Sequence, residues 1–243
     1  MSTRKSSYGI DLLAFGAHPD DVELTAGGTL AKAVRQGYAV GIVDATRGEL
    51  GTRGSVAVRA REAARAARSL GVRVRENLGL PDGHLSAAPD GLKRVVEVLR
   101  TLRPRVVIAP YWESRHPDHR ALSNLVRDAC FFAGVKRWPA RGLAARPAKL
   151  IFAIAYTGAA PSFYVDVSRD FSRKLNAIRA YRSQVVGQDR LGDVFPSGRP
   201  LLNAITVIHA GYGASAQVEY AEPFWMREAM RVDDVTRLPL ISM

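Results

Sequence analysis

A chain of 243 residues in which 47% are hydrophobic and 24% are charged has the composition of a globular protein and can bury a sizeable core. We expect no membrane span, because no stretch approaches the roughly 20 consecutive apolar residues that one needs. We also expect no secretory signal, because no apolar region follows the N-terminal charges. The single cysteine, Cys130, excludes an internal disulfide framework and favours a cytoplasmic location.

The formal net charge of +12 is carried mostly by arginines that are spread along helical segments and interleaved with alanine. Clustered basic residues can bind nucleic acid, but no zinc finger or comparable nucleic-acid motif accompanies them. We therefore expect the charge to attract a small anionic substrate, with nucleic-acid binding as the weaker alternative.

The first half of the chain alternates between apolar runs and helical periodicity. The runs at 9–16, 39–45, 72–78 and 105–110 predict strands, and helices are predicted at about 26–37, 56–70, 89–103 and 118–133. Such alternation predicts an α/β, Rossmann-like fold, in which a mostly parallel sheet carries helices on both faces through right-handed connections.

The second half is less regular, and we find neither an internal repeat nor a low-complexity segment in the chain. We predict a surface excursion at 135–148, strands at 149–156 and 163–167, a helix over 168–184 and a loop at 187–200. The chain 1–243 is therefore expected to form a single domain, with a Rossmann-like core at about 9–133 and the additional elements in 134–243.

Two short motifs occupy equivalent places in this pattern. "AHPDD" at 17–21 follows the first predicted strand, and "RHPDH" at 115–119 follows the fourth. In the commonest doubly wound order, 3-2-1-4, these strands are neighbours, and ligands bind beyond their carboxyl ends. One His-Pro-Asp sequence can be an ordinary helix-capping turn. Two of them at neighbouring strand ends, holding three of the five histidines, predict a functional site.

Together the two motifs supply the ligands of a metal ion. His18, Asp21 and His119 give two imidazoles and one carboxylate, a set typical of a catalytic zinc that keeps one position for water. The same set can hold Fe²⁺, so the ligand types leave the metal open. Asp20 is a candidate general base, and His116 could stabilise an oxyanion or protonate a leaving amine.

Weaker predictions concern other polar residues near the strand ends. Asp82 and His84 follow the third strand in a loop that should open on the same crevice, so we predict contact with substrate, the alternative being a surface turn. Glu23 and Asp44 are expected to support the site or the local structure, and His209 to pack inside a helix. The absence of GxGxxG after the first strand disfavours NAD binding.

The segments "AHPDDVELTAGGTLA" and "HPDH" resemble the LmbE/PIG-L-like family of zinc-dependent N-deacetylases of N-acetylglucosaminyl compounds. "ENLGLPDG", "YRSQ" and "YAEPF" extend the resemblance over nearly the whole chain. They point to the branch that deacetylates N-acetylglucosaminyl-malate in bacillithiol biosynthesis. Because family members often assemble into hexamers, the resemblance also implies a homo-oligomer.

The resemblance implies a role for each matched residue: zinc ligation by His18, Asp21 and His119, general-base action by Asp20, and a charged His116 at the oxyanion. Asp118 matches an acid that helps to orient His116. Arg53 matches a position that faces the anionic end of the substrate, where a guanidinium suits carboxylates. Some relatives place a tyrosine near the end of the segment 187–203, where this chain has Leu201, so we expect no tyrosine role there.

The two motifs predict a metal-dependent enzyme, and the resemblance implies a cytoplasmic hydrolase that removes the acetyl group from an N-acetylglucosaminyl conjugate with an anionic aglycone. N-acetylglucosaminyl-malate is the first candidate substrate. The alternatives are a mycothiol-type inositol conjugate, chitobiose or a glycopeptide precursor. A nucleic-acid or anion-binding protein with a degenerate metal site is a further alternative, suggested by the charge.

Overall fold

The strands of the described chain form one sheet. The computed structural model describes residues 9–88, 90–185 and 200–237. Within them the strands are β1 (Ile10–Gly16), β2 (Val40–Asp44), β3 (Val74–Asn77), β4 (Pro104–Pro110), β5 (Lys149–Ala153), β6 (Phe163–Asp166) and β7 (Ala221–Trp225). Their order is β3-β2-β1-β4-β5-β7-β6. The first five strands pair in parallel, while β7 pairs antiparallel with β5 and β6. The predicted mostly parallel sheet is confirmed.

Helices cover both faces of this sheet. They are α1 (Asp21–Arg35), α2 (Val56–Leu70), α3 (Gly91–Leu102), α4 (Pro117–Phe132), α5 (Phe171–Arg179), α6 (Arg182–Val185) and α7 (Leu201–Ala216). Helices α1, α2 and α5 pack together, and α3 packs with α4. Alternate residues of one strand reach the two layers, since Leu13 joins the core with α3 and α4, whereas Ala14 joins the core with α1 and α2. The Rossmann-like fold class is confirmed.

Three elements differ from the sequence prediction. Helix α1 begins at Asp21 rather than near residue 26, because the chain turns sharply at Asp20, whose φ is 119°. The helix predicted over 168–184 divides into a 3₁₀ turn at Ser168–Asp170, α5 and α6. Strand β7 has no counterpart in the prediction, because a proline and a glutamate interrupt its apolar pattern.

Other expectations have simpler outcomes. The segment 135–148 contains neither helix nor strand, as predicted. Cys130 is buried, and burial raises the pKa of its thiol to about 12, as fits a packing residue. The loop predicted at 187–200 lies outside the described residues except for Pro200. No helix in the described ranges is long and apolar enough to cross a membrane.

The sheet order brings the two His-Pro-Asp motifs together. Strands β1 and β4 are paired in parallel with Leu12 opposite Val106 and Ala14 opposite Ile108. Their carboxyl ends therefore lie at the same edge of the sheet, and the chain leaves each strand into one of the motifs. The neighbourhood predicted from the 3-2-1-4 order is what the structure contains.

Candidate active site

Three histidines from the two motifs surround one point at this edge. The ring centroids of His18 and His116 are 4.9 Å apart, those of His18 and His119 are 5.6 Å apart, and those of His116 and His119 are 5.0 Å apart. His18 lies in the turn between β1 and α1, while His116 caps the N-terminus of α4. Two chain segments about a hundred residues apart thus build one cluster.

The donor set of His18, Asp21 and His119 fits a metal ion. Asp21 Oδ2 lies 3.3 Å from His18 Nδ1 and 3.1 Å from His119 Nε2, and one ligand atom from each residue falls within 4.8 Å of the others. A second group of His18, His116 and Asp118 meets the same distance criterion. The Asp118 carboxylate, however, already accepts the amides of Gly83 at 2.7 Å and Leu85 at 3.3 Å. The first set is therefore the better metal site.

Each histidine of this set has a partner on its other ring nitrogen. His18 Nε2 lies 3.0 Å from Asp82 Oδ1, and His119 Nδ1 lies 3.2 Å from Ser114 Oγ. Such partners fix the ring orientation and the tautomer of a metal-binding histidine. Asp82 also accepts the Leu50 amide at 2.9 Å, so it fixes its own loop to the loop after β2. The structure thus places Asp82 behind His18, outside the described lining of the cavity.

The charges of this set favour a cation. Burial disfavours protonated His18, but a hydrogen bond to Asp21 and the charges of Asp21, Asp82 and Asp20 outweigh it and raise its pKa to about 10. Burial likewise opposes ionisation of Asp21, yet the charge of His119 and hydrogen bonds from both histidines hold its pKa well below its usual range. Positive charge is stabilised where the three side chains meet, and a divalent cation can replace the protons there.

Asp20 lies beside this set with a different environment. Burial raises the pKa of its carboxyl group to about 7; the positive charge of Arg59 opposes the shift, and Asp21 and Glu23 add to it. Arg59 Nη2 lies 3.3 Å from Asp20 Oδ2 and also donates to the Pro19 carbonyl. A carboxylate whose pKa lies near neutrality suits a general base.

Sequence reasoning missed Arg59, although a signal was present. Arg59 precedes Ala63 by four residues and Ala66 by seven, so it lies on the apolar face of α2. In the structure it is 4% exposed, and Ala63 and Ala66 are buried beside it. An arginine at helical spacing on an apolar face needs partners for its charge and its donors, and Arg59 finds them in the Asp20 carboxylate and the Pro19 carbonyl.

His116 is exposed at the start of α4, and its Nδ1 accepts the Asp118 amide at 3.2 Å. Partial burial and the charges of His18 and His119 lower its pKa. Because Nδ1 accepts, the neutral ring carries its hydrogen on Nε2 and can donate from there. The contact between Asp118 and His116 thus runs through the Asp118 amide, while the Asp118 carboxylate binds the loop after β3.

Arg53 and His84 are both exposed, and neither belongs to the described lining of the cavity. The Arg53 carbonyl accepts Gln184 Nε2 at 2.9 Å, and Gln184 does line the cavity, so Arg53 lies next to its wall. His84 precedes the 3₁₀ turn Leu85–Ala87. Their predicted contacts with substrate stay predictions.

Glu23 and Asp44 lie behind the motif, joined by Arg75. The guanidinium binds Asp44 through two hydrogen bonds of 2.8 and 2.9 Å and Glu23 through one of 2.5 Å. Tyr181 donates to the same Glu23 oxygen at 3.0 Å. Burial raises the pKa of Asp44 to about 6 against the opposing effect of Arg75. This network ties α1 to β2 and β3, which fits the supporting role expected of both acids.

The cluster opens into a cavity of about 750 Å³. His18, Asp20, Asp21, His116 and His119 belong to its polar lining, and alanines of β1, β4 and β5 contribute to its apolar lining. A concave, mostly apolar cavity with a few converging polar groups is typical of a small-molecule site.

Comparisons with known proteins agree with this chemistry. A family model described as "PIG-L: GlcNAc-PI de-N-acetylase" matches residues 13–130, which contain both motifs. The diacetylchitobiose deacetylase of Thermococcus kodakarensis is 31% identical over 223 residues, covering 87% of this chain and 80% of that protein. A deacetylase of 1D-myo-inositol 2-acetamido-2-deoxy-α-D-glucopyranoside from Rhodococcus opacus is 31% identical over 182 residues, covering 61% of this chain and 62% of the relative.

Solved structures share the fold. The conserved protein TT1542 from Thermus thermophilus is 40% identical, with a TM-score of 0.84 over 94% of this chain and 100% of the other. The N,N'-diacetylchitobiose deacetylase from Pyrococcus horikoshii is 27% identical, with a TM-score of 0.74 over 89% of this chain and 83% of the other.

Proposed function

The chain belongs to the PIG-L/LmbE family of deacetylases, and from that membership we propose that it hydrolyses the acetamide of an N-acetylglucosaminyl conjugate with the help of a bound metal ion. The observation that carries this proposal is the convergence of His18, Asp21 and His119 on one point, with Asp20 beside them in the same cavity. A metal site adjacent to a partly buried carboxylate suits metal-assisted amide hydrolysis.

Zn²⁺ is the metal we propose, held by His18, Asp21 and His119, with Fe²⁺ as the alternative that the same donors allow. When bound, such an ion supplies Lewis-acid polarisation of the acetamide carbonyl and lowers the pKa of a water molecule. Metal analysis of protein purified without added metal tests the identity of the ion.

Asp20 is the group that we propose to move the proton. Its carboxylate removes a proton from the attacking water, and with a pKa near neutrality it can return that proton to the departing amine. Arg59 pairs with the Asp20 carboxylate at 3.3 Å, and the chain turns at Asp20 before α1 begins at Asp21. The two neighbouring acids thus have different proposed roles: Asp21 binds the metal, and Asp20 transfers the proton.

His116 is the proposed stabiliser of the tetrahedral oxyanion. With Nδ1 accepting the Asp118 amide, its Nε2–H can donate to the negative oxygen that forms from the acetamide carbonyl. Asp118 positions the ring through this amide and fixes the start of α4 through its carboxylate. Both roles concern atoms that line or adjoin the cavity.

For the substrate we propose N-acetylglucosaminyl-malate. Its support is the resemblance of "ENLGLPDG" and "YRSQ" to that branch, the net charge of +12, and Arg53 next to the cavity wall. Diacetylchitobiose and the inositol conjugate are the competing substrates, supported by the names of the relatives. A cytoplasmic location and a homo-oligomer, a hexamer by family analogy, stay predictions for fractionation and sedimentation experiments.

The test is acetate release by zinc-loaded protein from the malate, chitobiose and inositol conjugates. We expect the malate conjugate to have the highest kcat/KM, and Arg53→Gln to raise KM for this substrate but not for chitobiose. A higher kcat/KM with chitobiose or the inositol conjugate would replace the malate proposal. No acetate from any of them, together with salt-sensitive binding to DNA or RNA, would favour the binding-protein alternative.

A further inference from the structure

A closed ionic cluster lies beneath α1, away from the metal ligands. Lys174, His209 and Glu222 come from α5, α7 and β7, and all three are 0% exposed. Lys174 Nζ donates to Glu222 Oε1 at 2.6 Å, to His209 Nε2 at 2.8 Å and to the Leu24 carbonyl at 2.8 Å. An ammonium group has three donors, and here each has an acceptor. His209 Nδ1 lies 2.9 Å from the Ile205 carbonyl, which fixes the neutral tautomer.

This cluster binds the backbone of α1 directly. Glu222 accepts the Gly28 amide at 2.9 Å and the Thr29 amide at 2.7 Å. In a regular α-helix these amides donate to the carbonyls of Leu24 and Thr25. The Leu24 carbonyl accepts Lys174 Nζ and, at 3.2 Å, the Tyr156 hydroxyl. The ion pair therefore binds backbone groups in the first turn of the helix, at Leu24, and in the second, at Gly28 and Thr29.

Gly27 and Gly28 leave room for this close approach. A Cβ atom at Gly28 would lie 2.8 Å from Val167 Cβ and 3.1 Å from Glu222 Oε1, and one at Gly27 would lie 3.3 Å from Lys174 Cγ. Glycine inside a helix lowers its stability relative to alanine, so two in succession need a reason. The close approach of the ion pair to the helix backbone supplies that reason.

We propose that Lys174 and Glu222 are positioning residues for the metal site, because they fix the first turn of α1, which carries Asp21. Upstream of that turn the cap residue Asp20 makes no side-chain capping hydrogen bond. At the end of that turn Lys174 donates to the carbonyl of Leu24, three residues after Asp21. Leu24 and Tyr156 also line the cavity, so the same contacts shape its wall. The inference rests on the proposed role of Asp21 as a metal ligand.

The experiment compares the zinc dissociation constant of four proteins by competition with a chelating dye. They are the parent, the double variant Lys174→Met/Glu222→Gln, the single variant Tyr156→Phe, and the control Arg35→Gln. The control breaks the ion pair in which Arg35 Nη2 lies 2.8 Å from Asp170 Oδ2. This pair joins the C-terminal end of α1 to the turn before α5. Removing both charges together avoids an unpaired buried charge. Unfolding temperature is measured on the same samples.

We expect the zinc dissociation constant to rise about 10- to 100-fold in the double variant, the range seen when outer partners of metal ligands are lost. In Tyr156→Phe it should rise by a smaller factor, and in Arg35→Gln it should stay at the parent value. A folded double variant with parent zinc affinity overturns the proposal, whatever its unfolding temperature.

If the double variant does not fold, Tyr156→Phe decides. It removes one uncharged hydrogen bond to Leu24, so unchanged zinc affinity in this variant then overturns the proposal. Failure of the proposed function has a separate signature. A parent protein that binds zinc but releases no acetate from any conjugate contradicts the deacetylase assignment, while the comparison of zinc affinities still tests the positioning role.

Discussion

Two histidines, His18 partly buried and His209 fully buried, flank the same helix in opposite electrostatic surroundings. His18 precedes α1 and has Asp21, Asp82 and Asp118 within 3.5 Å, and its pKa is raised to about 10. His209 packs beneath α1 against Lys174, and burial together with that positive charge lowers its pKa to about 2. The residue type is the same, and the neighbouring charges decide which form is stable.

The difference in charge balance distinguishes a ligand-binding site from a cluster that positions structural elements. The carboxylates around His18 exceed the fixed positive charges beside them, and a bound cation can balance this excess. The cluster of Lys174, Glu222 and His209 is already balanced, and its Lys174 donors are all used. A cluster with excess charge is expected to take a ligand, whereas a balanced one fixes the elements around it.

The largest expected effect concerns the base beside the charged site. Asp20→Asn should lower kcat for acetate release by about 10²–10⁴-fold, because general-base catalysis contributes that much, while zinc stays bound. Kinetics and metal content measured together check this. Asp128→Asn, which changes an exposed aspartate of α4, is the matched control. Near-parent turnover in a zinc-loaded Asp20→Asn protein would refute the role of Asp20.

The second prediction concerns the excess of negative charge around His18. Asp82→Asn keeps the size of the side chain but removes a charge 3.0 Å from His18 Nε2. The zinc dissociation constant should rise about 10-fold or more, because outer carboxylates contribute 10–100-fold to metal affinity. Dye competition measures it, and an unchanged constant would show that Asp82 only fixes the loop at Leu50.

The third prediction concerns the neutral form of His209. Its ring accepts Lys174 of α5 and packs against the rings of Tyr156 and Tyr212, and Lys174 also binds Glu222 of β7. The pKa of His209 falls from 6.5 in the unfolded chain to about 2 in the folded one. Between these values only the unfolded chain binds the proton, so stability falls as pH falls below 6.5. The loss is up to ~1.4 kcal/mol per pH unit.

Urea unfolding of the parent and His209→Gln at several pH values between 7 and 4 measures this contribution. The parent should lose more stability than the variant as the pH falls, because only the parent contains His209 and all other titratable groups are present in both proteins. Parallel curves would mean that His209 takes up its proton in the folded state.

The smallest effect concerns the helix that joins the two clusters. Gly28→Ala improves helix propensity by about 1 kcal/mol, but it brings a Cβ atom to 2.8 Å from Val167. Crowding of that kind costs typically 1–3 kcal/mol, so a net destabilisation of about 1 kcal/mol is expected by urea unfolding. Lys32→Ala on the same helix serves as the control, because Lys32 donates an exposed hydrogen bond to the Asp166 carbonyl. A stabilised Gly28→Ala protein would contradict the close approach.

The sequence by itself determined the features that depend on local pattern. Alternating apolar and helical periods predicted the parallel core, and two His-Pro-Asp motifs after its first and fourth strands predicted which side chains meet. These signals are local, because strand and helix periods repeat within a few residues and a motif lies on one turn. The family membership follows from the same segments.

Only the tertiary structure decided which buried charges pair. Asp82 is 64 residues from His18, Glu222 is 48 residues from Lys174, and Glu222 is 194 residues from the Gly28 amide that it accepts. Arg59 of α2 and Asp20 are likewise far apart in the sequence and pair only in the folded chain. No local period encodes such partners, because a buried charge is stabilised by whichever group the fold brings within hydrogen-bond distance. Strand β7 has no sequence prediction because Glu222 and Pro223 interrupt its apolar pattern.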